Sequence, residues 1–412
     1  MEPVTILYII IGISVFSYLF DQLLEYLNLK AQRHDLPADI AAFYDREKYL
    51  KSLDYHKELT KFGFITAAFS FSLSLLMLVF GGFGILDNWL RPLIPNDILL
   101  ALLFFGIVVL VADILTLPFQ WHATFVIEER FGFNKTTIKT FILDKLKSHV
   151  LGAIVGGALI SLLIYLIQVI GPTFWIWFGL VAAGFILFIN MFYTSLILPL
   201  FNKLTPLPDG ELKSAIESFA SKINFPLDNI FVMDGSKRSA KANAFFSGIG
   251  KKKKIVLYDT LINNHTTEEL VAVLAHEVGH YKKKHIVWGY ILSVVQIFFM
   301  LFVLSLMIFN ENLSLALGGT QQAIHLNLVA FGILFSPISG ISGLLMSLYS
   351  RKNEYEADAY AKENFNGTAM ANALKKLSVD SLSNLYPHPA YVFFHYSHPT
   401  LLQRLKALMA KS

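Results

Sequence analysis

Charge-free stretches long enough to cross a bilayer alternate along this chain with shorter charged segments, and that alternation is its dominant pattern. Val4–Phe20, Phe62–Leu86 and Ile98–Phe119, the last interrupted by Asp113, come first. Residues 150–202 then run for 53 positions without a formal charge, too many for one crossing, and Gly171-Pro172 near the middle predicts a tight hairpin between two helices. Ile286–Asn310 and Leu326–Tyr349 bring the expected number of membrane helices to seven. The leader Met1-Glu2-Pro3 has no basic region and no convincing small-residue cleavage site follows, so the first stretch reads as a membrane helix rather than a secretion signal.

The basic residues between these stretches give an orientation. Lys and Arg number seven in residues 25–61, five in 120–148, thirteen in 202–285 and eight in 350–412, which is 33 of the 34 in the chain; only Arg91 lies elsewhere. With seven spans those four regions share one side, and the positive-inside rule makes it the cytoplasmic side, with the amino terminus outside. The expected organisation is therefore membrane helices 1–5 with two cytoplasmic loops in residues 1–201, a cytoplasmic segment 202–285, helices 6 and 7 in 286–349, and a cytoplasmic tail 350–412. Within the cytoplasmic segment, Asp209–Asn224 reads as an amphipathic helix, and Ile230–Met233, Ala242–Phe246 and Ile255–Tyr258 as short strands.

Composition narrows the function classes. Of 412 residues 55% are apolar and only 16% charged, which excludes a soluble globular enzyme. The net charge of +4 comes without the aromatic-interleaved basic motifs of a nucleic-acid module. Absence of cysteine removes disulfides, thiolate catalysis and every Cys-based metal site.

Chemistry concentrates in one cytoplasmic helix. Thr266-Thr267-Glu268-Glu269 has the form of a capping box, and the helix it starts contains His276-Glu277-Val278-Gly279-His280. Histidines at i and i+4 share a face and can hold one ion, while Glu277 can reach a water beside it. A catalytic zinc needs a third protein ligand. The continuation that would supply a third histidine at position 286 is missing, since Ile286 stands there and His285 is off that spacing. A glutamate from a second helix is the other solution, and Glu354 fits: Glu354 and Asp358 share a face just past the last span, with Glu356 pointing elsewhere. Glu354 is the expected ligand and Asp358 the carboxylate that orients a ligand histidine. The alternative is a solvated acidic face pairing with Arg351 or Lys352.

This combination resembles the integral-membrane CAAX prenyl proteases of type I. Three further stretches carry the likeness: residues 124–137 (TFVIEERFGFNKTT), residues 243–248 (NAFFSG), and Ser397-His398-Pro399 followed by residues 401–405. The resemblance implies a mainly α fold, with seven transmembrane helices enclosing a water-filled chamber and a gluzincin-like α+β portion on the cytoplasmic side. It implies one zinc ion per chain held by His276, His280 and Glu354, with Glu277 as general base. It also implies that Asn243 holds the substrate backbone and that His398 and Arg404 lie near the reacting carbonyl. Without the resemblance, His398 reads as a residue preceding a helix and Arg404 as a surface ion pair. Asp113 is expected to line a cavity or to pair with a nearby base. The runs Lys251–Lys254 and Lys282–Lys284 are expected near anionic headgroups.

The expected activity is hydrolysis of peptide bonds near the carboxyl terminus of prenylated CAAX-type chains by a monomeric enzyme, with peptide and lipid as its partners and no nucleic acid. Its membrane would be the endoplasmic reticulum or a bacterial inner membrane. A quality-control protease without a prenyl requirement is the alternative of the same chemistry; a metal transporter and an inactive scaffold are the alternatives of other classes.

Overall fold

The computed structural model describes residues 1–36, 38–225, 227, 229–247 and 254–410. Among the described residues there are seven long apolar helices: α1 (Pro3–Lys30), α2 (Arg46–Val79), α3 (Asp97–His122), α4 (Ile138–Ile170) and α5 (Phe174–Phe192) precede a polar segment, and two more follow it. α4 and α5 form the expected hairpin, because Gly171 takes a left-handed φ of 69° that ends α4 and Pro172 starts the turn into α5. The polar segment carries β1 (Leu204–Pro206), α6 (Glu211–Lys222), β2 (Asn229–Met233), β3 (Ala244–Ser247), β4 (Lys254–Tyr258) and α7 (Thr267–Lys282). The last two apolar helices are α8 (His285–Met307) and α9 (Ile324–Ala361), followed by α10 (Gly367–Asp380) and α11 (Leu401–Met409).

The spans meet as a closed ring. α1 contacts α2, α2 contacts α3, α3 contacts α4, α4 contacts α5, α5 contacts α8, α8 contacts α9, and α9 returns to α1. No more than 17% of the most apolar window of any span is buried, as a single-layer ring requires. The helices therefore enclose space instead of filling it. At the end away from the polar segment α3 and α9 close on each other through Leu100, Phe104, Ala323 and Leu326, with Phe104 and His325 ring centroids 4.7 Å apart. Gly84 and Gly318 pack backbone to backbone at that end, the Gly84 amide donating to the Leu317 carbonyl at 2.9 Å.

Several helix ends lie away from the expected span boundaries, two of them for reasons visible in the local backbone. The second helix stops at Val79, seven residues before Leu86, because Gly81 at φ 63° breaks it and a separate helix, Gly82–Leu90, turns aside. The fourth begins at Ile138 instead of Val150, capped by Thr137, and its added turns carry charge. One of those charges, Lys145, lies 2.6 Å from Asp113, so Asp113 pairs with a base as one expectation had it.

In the polar region the sheet order is β1-β2-β4-β3, with β2 and β4 parallel and both outer strands antiparallel. β3 is an edge strand. It starts two residues later than the sequence suggests, at Ala244, and β1 is an addition to the expected strands. α7 runs beneath this layer as the central element of the core: Leu270, Val271, Leu274, Ala275 and Val278 pack against Ile216 of α6, Leu257 of β4, Met370 of α10 and Leu405 of α11. Burying each of those larger side chains contributes about 1.5–3 kcal/mol. The predicted capping box is formed, Thr266 accepting from the Glu269 amide and Glu269 from the Thr266 amide. The 124–137 stretch docks this region onto the membrane helices: Phe131, Phe133 and Tyr55 form one apolar cluster, and the Lys135 amide donates to the Arg238 carbonyl at 3.1 Å. The chain then leads directly to Asn243. Lys254 donates to Ser195 at 3.1 Å and Lys282 to the Ile223 carbonyl at 2.8 Å; the rest of the 251–254 run and Gly248 lie outside the described residues.

Candidate metal centre

α7 and α9 cross where their functional side chains lie. Gly279 has no Cβ, and it needs none: an added Cβ would stand 3.0 Å from the Ala357 Cα and from the Tyr360 Cβ, so the two helices touch nearly backbone to backbone. That approach brings Glu354 between two histidines. His276 Nε2 and His280 Nε2 are 3.2 Å apart, Glu354 Oε2 is 3.5 Å from the first, and Glu354 Oε1 is 3.4 Å from the second. His276 and Glu354 are buried.

Each histidine is held from behind. His276 Nδ1 donates to Asp358 Oδ1 at 2.9 Å, which fixes its Nε2 as a lone-pair donor. Asp358 is fixed in turn by a bidentate Arg404, at 2.8 Å from Nε and 2.6 Å from Nη2. Arg404 Nη1 reaches Glu354 Oε2 at 3.2 Å, and its side chain is only 11% exposed. Arg404, expected near the substrate, thus has its guanidinium committed to two carboxylates. Burial disfavours its charge, yet the hydrogen bonds and charge of Asp358 raise its pKa above the ordinary value. His280 Nδ1 lies 3.0 Å from His285 Nδ1, and His285 Nε2 lies 3.1 Å from Glu356 Oε2.

Glu277 faces a cavity of about 270 Å³ that also reaches Asn243, His398 and Arg404. Burial pushes the Glu277 carboxyl above its ordinary value, against the pull of His276 and His280. Leu261, Val273, Met370, Leu374 and Leu377 supply the apolar part of its lining. Asn243 is exposed at the start of β3, its backbone carbonyl accepting from the Tyr258 amide at 3.1 Å. His398, 60% exposed at the mouth, places Nε2 3.3 Å from Glu354 Oε1. Thr400, two residues on, caps α11 in a second capping box, which orients both His398 and Arg404.

The sequence matches the profile of the CAAX prenyl protease N-terminal region, described as five membrane helices, over residues 25–203. It matches that of peptidase family M48 over residues 206–412. CAAX prenyl protease 1 of Saccharomyces cerevisiae is 34% identical, the match covering 97% of this chain and 94% of that protein. This chain belongs to the type I CAAX prenyl proteases of family M48. The CAAX prenyl protease 1 homolog of Arabidopsis thaliana is 36% identical over 97% of this chain and 96% of its own. The crystal structure of Ste24p from S. mikatae superposes with a TM-score of 0.93 at 33% identity, covering 98% of this chain and 99% of that one. Membership of these membrane metalloproteases implies a bound metal and a peptide or protein substrate.

The residues of this M48 protease fit such an ion. Bonds of about 2.0–2.1 Å to a tetrahedral centre give ligand-to-ligand edges of roughly 3.3–3.4 Å, and the three edges here are 3.2, 3.4 and 3.5 Å. Burial alone would lower the His280 pKa, but the hydrogen bond and charge of Glu354 raise it, so the triangle attracts positive charge. His285 and Glu356 were set aside by the sequence reasoning and nonetheless complete the surroundings of His280. The cause is Lys284, whose left-handed φ of 60° breaks the helix between the two histidines and turns His285 back. On an unbroken helix residues five apart would diverge.

Proposed function

We propose that this protease cuts prenylated CAAX-type chains near their carboxyl terminus, with one zinc held by His276, His280 and Glu354 and with Glu277 as general base. The observation that carries the reading is the triangle of donor atoms beside a half-buried glutamate, at a cavity lined in part by aliphatic side chains. Zinc, when bound, supplies a Lewis acid that makes water acidic near neutral pH and polarises a carbonyl. Glu277 takes a proton from the attacking water as its oxygen bonds to the scissile carbon. The carbon–nitrogen bond then breaks, and Glu277 returns that proton to the departing amine. A carboxyl whose pKa is raised by burial suits both transfers. Asn243 and the free edge of β3 hold the peptide backbone as an added strand. The Leu261, Val273 and Leu374 wall accommodates the aliphatic side chain after the cleaved bond. His398, exposed at the mouth, donates to the carbonyl oxygen as charge develops there. Arg404 acts by clamping Asp358 and Glu354.

The excess of Lys and Arg on the side of α7 supports a cytoplasmic active site. The ring of spans closes within one chain, which supports action as a monomer in its lipid surroundings. The test measures bound metal and compares cleavage of a farnesylated CAAX peptide with its unprenylated twin. One zinc per chain, prenyl-enhanced cleavage, and a loss of about 10³-fold in turnover in Glu277→Gln with metal retained are expected. Equal cleavage of the two peptides would make it a protease without a prenyl requirement; wild-type turnover in Glu277→Gln would remove the general base.

A further inference from the structure

Two carboxylates stand behind the histidine pair, and they reach it differently. Asp358 bonds His276 directly, whereas Glu356 is separated from His280 by a whole imidazole, that of His285. We propose that Glu356 and His285 form a directional hydrogen-bond chain that fixes the tautomer and ring orientation of His280, making His285 a positioning residue for the second metal ligand. The inference rests on the metal reading of the same site.

The direction follows from counting protons. A neutral imidazole has one N–H and one lone pair. For His280 Nε2 to offer its lone pair, Nδ1 must carry the proton and donate to His285 Nδ1, at 3.0 Å. His285 Nδ1 is then an acceptor, so its proton sits on Nε2 and is donated to Glu356 Oε2 at 3.1 Å. The reverse arrangement, in which His285 Nδ1 donates to His280 Nδ1, moves the His280 proton onto Nε2 and blocks the ligand. A carboxylate can only accept, and so Glu356 selects the productive direction. Lys352 Nζ lies 3.7 Å from its other oxygen. His285 is buried, and its placement depends on the left-handed Lys284 rather than on helical periodicity.

The test is zinc retention against a chelator in the full-length protein, together with the visible spectrum of its cobalt-substituted form. His285→Leu keeps the volume and loses the acceptor; release about 10- to 100-fold faster is expected. His285→Asn puts an amide oxygen near the Nδ1 position and should stay within about threefold of wild type. Glu356→Gln, whose amide can present a donor and permit the reverse direction, should release zinc about tenfold faster and shift the cobalt bands. Equal loss in His285→Leu and His285→Asn would show mere packing and overturn the chain, as would wild-type retention in His285→Leu. If His285→Leu does not fold, Glu356→Gln decides alone, because that side chain is 37% exposed; unchanged retention and spectrum would overturn the proposal. A wild-type protein that binds no zinc would instead defeat the metal reading itself.

Discussion

Gly279→Ala places one methyl group at the point where the ligand-bearing helices touch. Its carbon would lie 3.0 Å from the Ala357 Cα, 3.0 Å from the Tyr360 Cβ and 3.2 Å from the Ala357 carbonyl oxygen. Carbon atoms settle at about 3.5–4.0 Å, so the helices must part by about 0.5 Å, and backbone atoms offer no rotamer escape. Overpacking of this kind costs about 1–3 kcal/mol, while replacing glycine inside a helix returns about 1 kcal/mol. Net destabilisation of roughly 0–2 kcal/mol leaves the fold standing. The proposed metal site is less tolerant: Gly279 adjoins His280, and Ala357 adjoins Asp358 and lies three residues from Glu354, so the displacement falls on the proposed ligands and the carboxylate behind His276, where distances are held to about 0.2 Å. The expected outcome is at least about a tenfold loss of zinc affinity, or 1.4 kcal/mol, by chelator competition. The thermal midpoint of the variant should also lie closer to that of chelator-treated wild type, since a ligand that binds only the folded state raises it. Wild-type affinity and turnover in Gly279→Ala would refute the reasoning, because the contact would then be one the structure can relax.

Asp358→Ala leaves the buried Arg404 guanidinium without its bidentate partner and should destabilise by about 3–5 kcal/mol, whereas Asp358→Asn keeps an acceptor for His276 and should fold while binding metal more weakly; equal midpoints for the two variants would contradict this. Glu269 is buried, which favours its neutral form, but the Lys376 hydrogen bond at 2.7 Å and the Thr266 amide hold its pKa below the ordinary 4.5. Its stabilisation is thus complete above 4.5 and is lost as pH falls through the lower folded value. Thermal midpoints between neutral pH and about pH 3 should fall more steeply in wild type than in Glu269→Gln, and parallel curves would sink the assignment. At the end away from the polar segment, a Cβ on Gly84 would meet the Gly318 carbonyl at 2.0 Å, so Gly84→Ala should abolish folded protein; Gly106→Ala, with nothing within 4 Å, should not. Normal yield of Gly84→Ala on size-exclusion chromatography would show that this packing is dispensable.

Absence of charge located the spans but not the helix ends. Arg46–Val79 starts sixteen residues before Phe62 and Ile324–Ala361 ends twelve residues after Tyr349, because a helix continues into water with charged residues that a charge-free criterion must reject. His276, His280, Glu354 and Asp358 were visible as candidates because i,i+4 spacing on a helix is a local property. What brings the two pairs together is not local, and neither is the clamp of Arg404, which depends on α11 folding back onto α9. His285 was missed because one residue, Lys284, adopts a conformation that side chains other than glycine rarely take and no periodic rule anticipates. β1 escaped notice because three residues ending in proline carry too little alternation to register.

α9 runs as one continuous helix from an apolar span to the candidate metal site. Its apolar stretch ends at Tyr349 and Glu354 follows five residues later, a rise of about 7.5 Å at 1.5 Å per residue. The distance from the end of the apolar stretch to Glu354 is therefore set by helical geometry and not by loops that could stretch. An extended peptide covers about 3.3 Å per residue, so on the proposed function a chain anchored at the end of that span would bring to Glu354 only bonds some two residues from its anchor. On that reading the cut site would be set as by a depth gauge, by how far a tethered chain reaches, before any pocket reads a side chain.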